Sequence, residues 1–259
     1  MSPPRRNSSK AFTLVELLVV IVIIIAIAAL SLSTTRRMLQ SARATKDIAN
    51  LRQTGLALSQ LVAGSGYFPI GIEQNSITWA DLVVRDQLGE DDSKTTQIPM
   101  LWSPLWVQEI PANLRRQAVS HFAVNPSIMN EAVEDPSGDI VPKLKLRSSQ
   151  LHRPSEQMLL CGAIAKSANG EYHETHPVLW DMAGLIGGPP ADGSPPELDP
   201  ADAEVPIRFP AGSGKNETYG SMPDFFRYGG GRGYFFFVDG HVEALAPADH
   251  REKYWAVSY

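Results

Sequence analysis

The feature that most constrains this chain is the stretch from Lys10 to Leu32, KAFTLVELLVVIVIIIAIAALSL. Arg5 and Arg6 precede it, and Glu16 is its one charge after Lys10. From Phe12 to Ser33 there are 22 residues. At ~1.5 Å rise each, a helix of that length spans roughly 33 Å, against a hydrocarbon core of ~30 Å. The stretch holds no Pro or Gly, so nothing in it breaks a helix. A carboxylate inside an apolar run is expensive, about 2.5–3.5 kcal/mol at mid-helix and less near an end. Glu16 therefore calls for a partner, and no Lys or Arg lies one turn away on either side. A cut between Ala11 and Phe12 would supply one. The new α-amino group would stand four residues before Glu16, on the same helix face, or would meet Glu16 of a neighbouring subunit.

Ala11-Phe12-Thr13-Leu14-Val15-Glu16 resembles the cleavage and methylation motif of type IV prepilins and type II secretion pseudopilins. The resemblance implies that a prepilin peptidase cuts before Phe12 and methylates its amine. It also implies that Glu16 pairs with an N-terminal amine during filament assembly. The family usually has Gly before the cut; here it is Ala11, the next smallest residue, and processing is expected to tolerate it. The implied partners are the peptidase, other pilin or pseudopilin subunits, an inner-membrane assembly platform and the lipid bilayer. The implied location is the inner membrane, crossed once, with the head on the periplasmic or extracellular side. Two other readings of the stretch stay open. One is a secretory signal cut after Ala26-Ile27-Ala28; the other is an anchor that is never processed. The cations on both sides of the span leave its orientation open.

Residues 34–66 continue as an amphipathic helix. Ala44, Ile48, Leu51, Gly55, Leu58, Leu61 and Val62 form its apolar stripe, and Arg43, Lys46, Asp47, Asn50, Arg52 and Gln53 are assigned to the polar face. Gly64-Ser65-Gly66 ends it. Gly66-Tyr67-Phe68-Pro69 is similar to the turn that follows the long helix in major pseudopilins.

Beyond residue 67 we expect an α+β head, an antiparallel sheet with long loops packed on that helix. Ser76 to Leu88 reads as a short helix with Ser76 or Thr78 as cap. Val119 to Val124 and Met158 to Ala165 read as strands. Tyr234 to Val238 and His241 to Leu245 read as a hairpin turning at Asp239-Gly240. Asp239-Gly240-His241-Val242 resembles the C-terminal hairpin of a subgroup of prepilin-like proteins. The His that precedes the turn in that subgroup is absent: Tyr228 stands there, after Arg227. Residues 184–224 read as a long loop rich in Gly, Pro and acids.

The 259 residues carry a net charge of −5, so nothing calls for nucleic acid. Cys161 is the only cysteine, which excludes an intrachain disulfide and reads as a core thiol. The sequence has no P-loop, dinucleotide motif, Gly-x-Ser-x-Gly elbow, His-Glu-x-x-His or CxxC. His173 and His176 are two spaced ligands without a third. We therefore expect no catalytic residues, no metal and no cofactor, with calcium in the acids from Asp192 to Glu204 left open. The reading is a structural subunit of a pseudopilus or pilus-like filament. The alternative is a membrane-tethered or secreted hydrolase or binding protein, with Asp239 and His241 as acid and base.

Overall fold

The computed structural model describes residues 13–71, 77–89, 98–105, 120–129, 132–134, 140–142, 146–163, 178–179, 199–209, 223–225, 227–228 and 230–257. For 30–34, 36, 88, 132–134 and 140–142 it describes the backbone alone. The arrangement is α+β, and the chain divides into two units, 1–43 and 44–259.

Helix α1, Leu14–Ser65, begins in the first unit. Its first turn is closed by a capping box. Thr13 Oγ1 accepts the Glu16 N–H at 3.2 Å, and Glu16 Oε2 accepts the Thr13 N–H at 2.9 Å. From Leu14 to Ala29 every side chain is exposed, including those of Leu, Ile and Val. Among the described residues no helix is long and apolar enough to cross a membrane.

In the second unit α1 becomes one-sided. Leu51, Leu58 and Val62 are buried. The helix ends where Gly66, at φ +75°, donates its N–H to the Val62 carbonyl at 2.7 Å. Helix α2, Trp79–Leu88, is capped by Thr78 in a second capping box with Asp81. Of the two caps expected, Thr78 serves; Ser76 lies outside the described residues.

The sheet has four antiparallel strands in the order β1-β4-β5-β6: Phe122–Val124, Met158–Gly162, Gly233–Phe237 and Val242–Leu245. A separate pair, β2 (Ala132–Glu134) and β3 (Ile140–Pro142), was not foreseen. Strand alternation sorts the side chains into two cores. Phe122, Val124, Leu160 and Phe236 pack with α1, α2 and Leu101. Ala123, Cys161, Phe235 and Phe237 point the other way, onto Ile207, Phe225 and Trp255. Both sheet faces are covered, so β4 and β5 read in sequence as unbroken apolar runs. Cys161 is fully buried in the second core, as a core thiol should be, and burial pushes its thiol pKa up.

Within the expected long loop, residues 199–209 turn back onto the second core through Ile207, and Pro206 bridges to Arg251. The rest of that loop, apart from Pro223 and Asp224, and the His173 to His176 segment lie outside the described residues.

Gly55 lets α1 come close to the sheet at Phe236. A Cβ there would lie 2.5 Å from the Phe236 ring, closer than real contacts allow. Gly55→Ala is expected to destabilise the head by about 1–3 kcal/mol, read as a lower denaturant midpoint for the full chain in detergent. An unchanged midpoint would show that the helix can lift off the ring without loss.

Candidate functional site

The one-sided half of α1 corrects a detail of the sequence reading. Asp47 and Asn50 belong to the buried face: Asp47 is fully enclosed and Asn50 is 7% exposed. Each is buried because it has partners. Asn50 Nδ2 donates to the carbonyls of Pro99 at 3.0 Å and Trp102 at 2.6 Å, and Thr54 Oγ1 donates to Met100 O at 2.8 Å. These bonds fasten the 3-10 turn Pro99–Leu101 to the helix.

Asp47 faces Arg227. The guanidinium, 1% exposed, places Nη1 3.5 Å from Asp47 Oδ2 and Nε 3.2 Å from Asp224 Oδ2. Nη2 donates to the carbonyls of His121 at 3.1 Å and Ala163 at 2.5 Å, at the edges of β1 and β4. The Arg227 backbone N–H donates to Asp224 Oδ1 at 2.9 Å. Tyr228 completes the group, its hydroxyl donating to Asp47 Oδ2 at 2.5 Å across 181 residues of sequence. Gly162 makes room: a Cβ there would lie 2.8 Å from Arg227 Nη1.

Burial disfavours the Arg227 charge, but Asp47 and Asp224 outweigh it and hold the pKa above the ordinary arginine range. Burial raises the Tyr228 phenol, so it stays a donor. His121 lies beside the cluster, its Nδ1 accepting the Ser103 N–H at 3.0 Å. Burial, aided by Arg227, lowers its pKa to about 3, so the ring is neutral. A permanently charged guanidinium between two carboxylates is not a proton donor at neutral pH. Its chemistry is that of a clamp joining α1, β1, β4 and Asp224.

Asp239 and Gly240 lie in the β5–β6 connection, with Gly240 at φ +94°. Asp239 Oδ1 accepts the His241 N–H at 3.1 Å and lies 2.6 Å from His241 Nδ1. The His241 ring stacks on Phe237 at 4.3 Å and 11°, and its Nε2 faces a second acid, Glu243, at 4.0 Å. The pair is part-exposed, and its bonds serve the turn. Among the described residues no cluster of three or more His, Cys, Asp or Glu could hold a metal ion.

In the first unit the structure describes one member of the expected N-terminal site. Glu16 is engaged with Thr13, whose hydroxyl also donates to it at 2.9 Å. Ala11 and Phe12 lie outside the described residues. Thr13 was not expected as a partner, although Thr-x-x-Glu before an apolar run is the sequence signature of a capping box. Asp47 carries no comparable signal, because its partners Arg227 and Tyr228 are separated from it by most of the head.

Residues 6–32 match the model of the family described as the prokaryotic N-terminal methylation motif. The match takes in Arg6 and Lys10 of the leader, Ala11, Phe12, Glu16 and the apolar stretch, which is the region that resembles type IV prepilins and pseudopilins; it leaves the head unmatched. No curated protein and no solved structure matches the chain.

Removing the cation should cost more than removing the phenol. Arg227→Met leaves two buried carboxylates uncompensated and is expected to cost about 3–5 kcal/mol. Tyr228→Phe removes one hydrogen bond to a charged group, about 1–3 kcal/mol. Denaturant titrations of both variants test this order, and an Arg227→Met chain as stable as the parent would refute the clamp.

Proposed function

We propose that this chain is a structural subunit of a prepilin-type filament, a type II secretion pseudopilus or a type IV pilus-like fibre. Prepilin peptidase removes the leader before Phe12 and methylates the new amine. The apolar start of α1 holds the subunit in the inner membrane, with the head on the far side, and then joins the helices of other subunits as an assembly platform draws it out.

One observation carries this reading. Twelve Leu, Val and Ile side chains between Leu14 and Ile27 are each 45–80% exposed, and they surround the helix. A helix that is apolar all round has no stable place in water. Burying what these side chains expose is worth on the order of 10–20 kcal/mol. Lipid before assembly, and like helices after it, supply that cover. The methylation motif at the head of the same helix supports the filament over a plain anchor.

The capping box gives Glu16 a role before assembly. Thr13 holds the carboxylate at the N-terminus of its own helix, where the helix dipole favours a negative charge. In the filament the Phe12 amine of the same or a neighbouring chain takes up that carboxylate. The head contributes surface and contact, and this work needs no cofactor.

The mature N-terminus is the first test. Intact mass and N-terminal peptide mass of membrane-extracted protein should give a chain starting at Phe12, with or without one methyl group. A start at Ala29 would make it a secreted protein, and an uncut chain would make it an anchor. Glu16→Ala should leave the protein in the membrane and abolish filaments. Filaments formed at parental levels by that variant would refute the charge pairing.

A further inference from the structure

Apart from the Arg227 cluster and its neighbours, the head buries another titratable side chain, His250, which is fully enclosed. Its ring sits among aromatic rings. Centroid distances are 4.6 Å to Phe235, 5.2 Å to Phe209, 5.4 Å to Phe225 and 5.8 Å to Trp255. Among the described residues neither ring nitrogen has a hydrogen-bond partner. A neutral imidazole has one donor and one acceptor to satisfy, and leaving them bare in an apolar site costs about 1–3 kcal/mol each. A phenylalanine would fill this cage without that loss.

His250 belongs to a segment, 247–257, that carries two 3-10 turns, Pro247–Asp249 and Glu252–Tyr254. The segment is held by two buried side chains, Trp255 and Val257, and by polar bonds to the rest of the head. The N–H groups of Glu252 and Lys253 donate to Val205 O at 3.1 Å and Ala203 O at 3.3 Å, and His250 O accepts from Ile207 at 3.2 Å. Asn125 Nδ2 reaches Trp255 O at 3.4 Å, and Gln157 Nε2 donates to the carbonyls of Ala256 and Val257. Lys253 Nζ bonds Glu204 at 2.5 Å and Glu156 at 3.3 Å.

We propose that segment 247–257 is an acid-released latch, and that protonation of His250 within its aromatic cage is the trigger. Protonation adds a charge and a second donor where no acceptor waits. The rings that face His250 from 207–209, from 223–225 and from β5 are apolar. The charged groups that act on it, Asp249 and Arg251, are its neighbours on the segment and oppose one another. Tyr254, at 6.4 Å, is the remaining titratable ring beside it. Burial is the larger effect and lowers the docked pKa to about 3, against 6.5 for a free histidine. The docked pKa is depressed, so docking is strongest above pH 6.5 and weakens as pH falls from there toward 3. Over that window the released segment binds a proton that the docked one does not. Release is favoured about tenfold for each pH unit.

Hydrogen exchange read by mass spectrometry on the full chain in detergent, from pH 7.5 to 4.5, tests this after correction for the intrinsic pH dependence of exchange. Peptides from 247–257 should lose protection about tenfold per unit below pH 6.5, while β4 and β5 keep theirs. In His250→Phe, the tenfold-per-unit loss of protection below pH 6.5 should be absent. Three results would overturn the latch. The parental segment could stay protected to pH 4.5, it could open only together with β4 and β5, or His250→Phe could open as the parent does. Loosening of the whole sheet through His121 would give the second of these. A ring titration of His250 by NMR in the parental chain serves if the variant does not fold. Protonation should coincide with loss of protection in 247–257, and a pKa near 6.5 with the segment still docked would refute the proposal.

Discussion

The head depends on one guanidinium placed where water does not reach. Arg227 holds Asp47 of α1 and Asp224 of the turn before it, and it binds backbone carbonyls at the edges of β1 and β4. Desolvating these charges is costly, and it is offset by their mutual attraction and by the bonds from Arg227 Nε and Nη2 and from the Tyr228 hydroxyl. A hydrophobic contact would tolerate sliding. An ion cluster with fixed donors does not, so the cluster sets which residues of α1 face the sheet. Gly55 and Gly162 belong to the same constraint: one lets the helix reach Phe236, and the other leaves room for Arg227.

Around this clamp the sheet is a partition between two cores of different character. The helix side is built largely from aliphatic side chains, with Trp79, drawn from α1, α2, the 3-10 turn, the sheet and its connections. The other side is dense in aromatic rings, drawn from β5, residues 207–209 and 225, and the segment after β6. The four-stranded sheet is small, and neither face could be left wet.

Much of this was legible in the sequence, and the missing parts share a cause. The helix from Leu14 to Ser65, the apolar runs of β4 and β5, and the turn at Asp239-Gly240 all announce themselves through periodicity, burial on both faces or turn chemistry, which are local signals. Asp47 and Asn50 were assigned to the polar face because residue type was the only guide. Their partners lie far along the chain, and a buried charge looks like a surface one until its counterion is known. Tyr228 was noted as a departure from a motif, while its bond to Asp47 had no local trace. Strands β2 and β3, of three residues each, are too short to show alternation. Thr13 is different: its capping box is written in the sequence, and a neutral donor three residues away engages Glu16 where no cation is near.

The order of these parts along the chain has a consequence for how the protein is made. Arg227, both strands of the β5–β6 hairpin, and Trp255 and Val257 of the two cores all follow residue 223. The helix that leads the chain cannot settle its Asp47 until they arrive. For a polypeptide that leaves the ribosome from its N-terminus, the head is completed only after nearly all of it has been synthesised. A chain interrupted before that point presents two open cores and an unneutralised acid, the exposed features by which proteolytic surveillance distinguishes an unfinished polypeptide from a finished one.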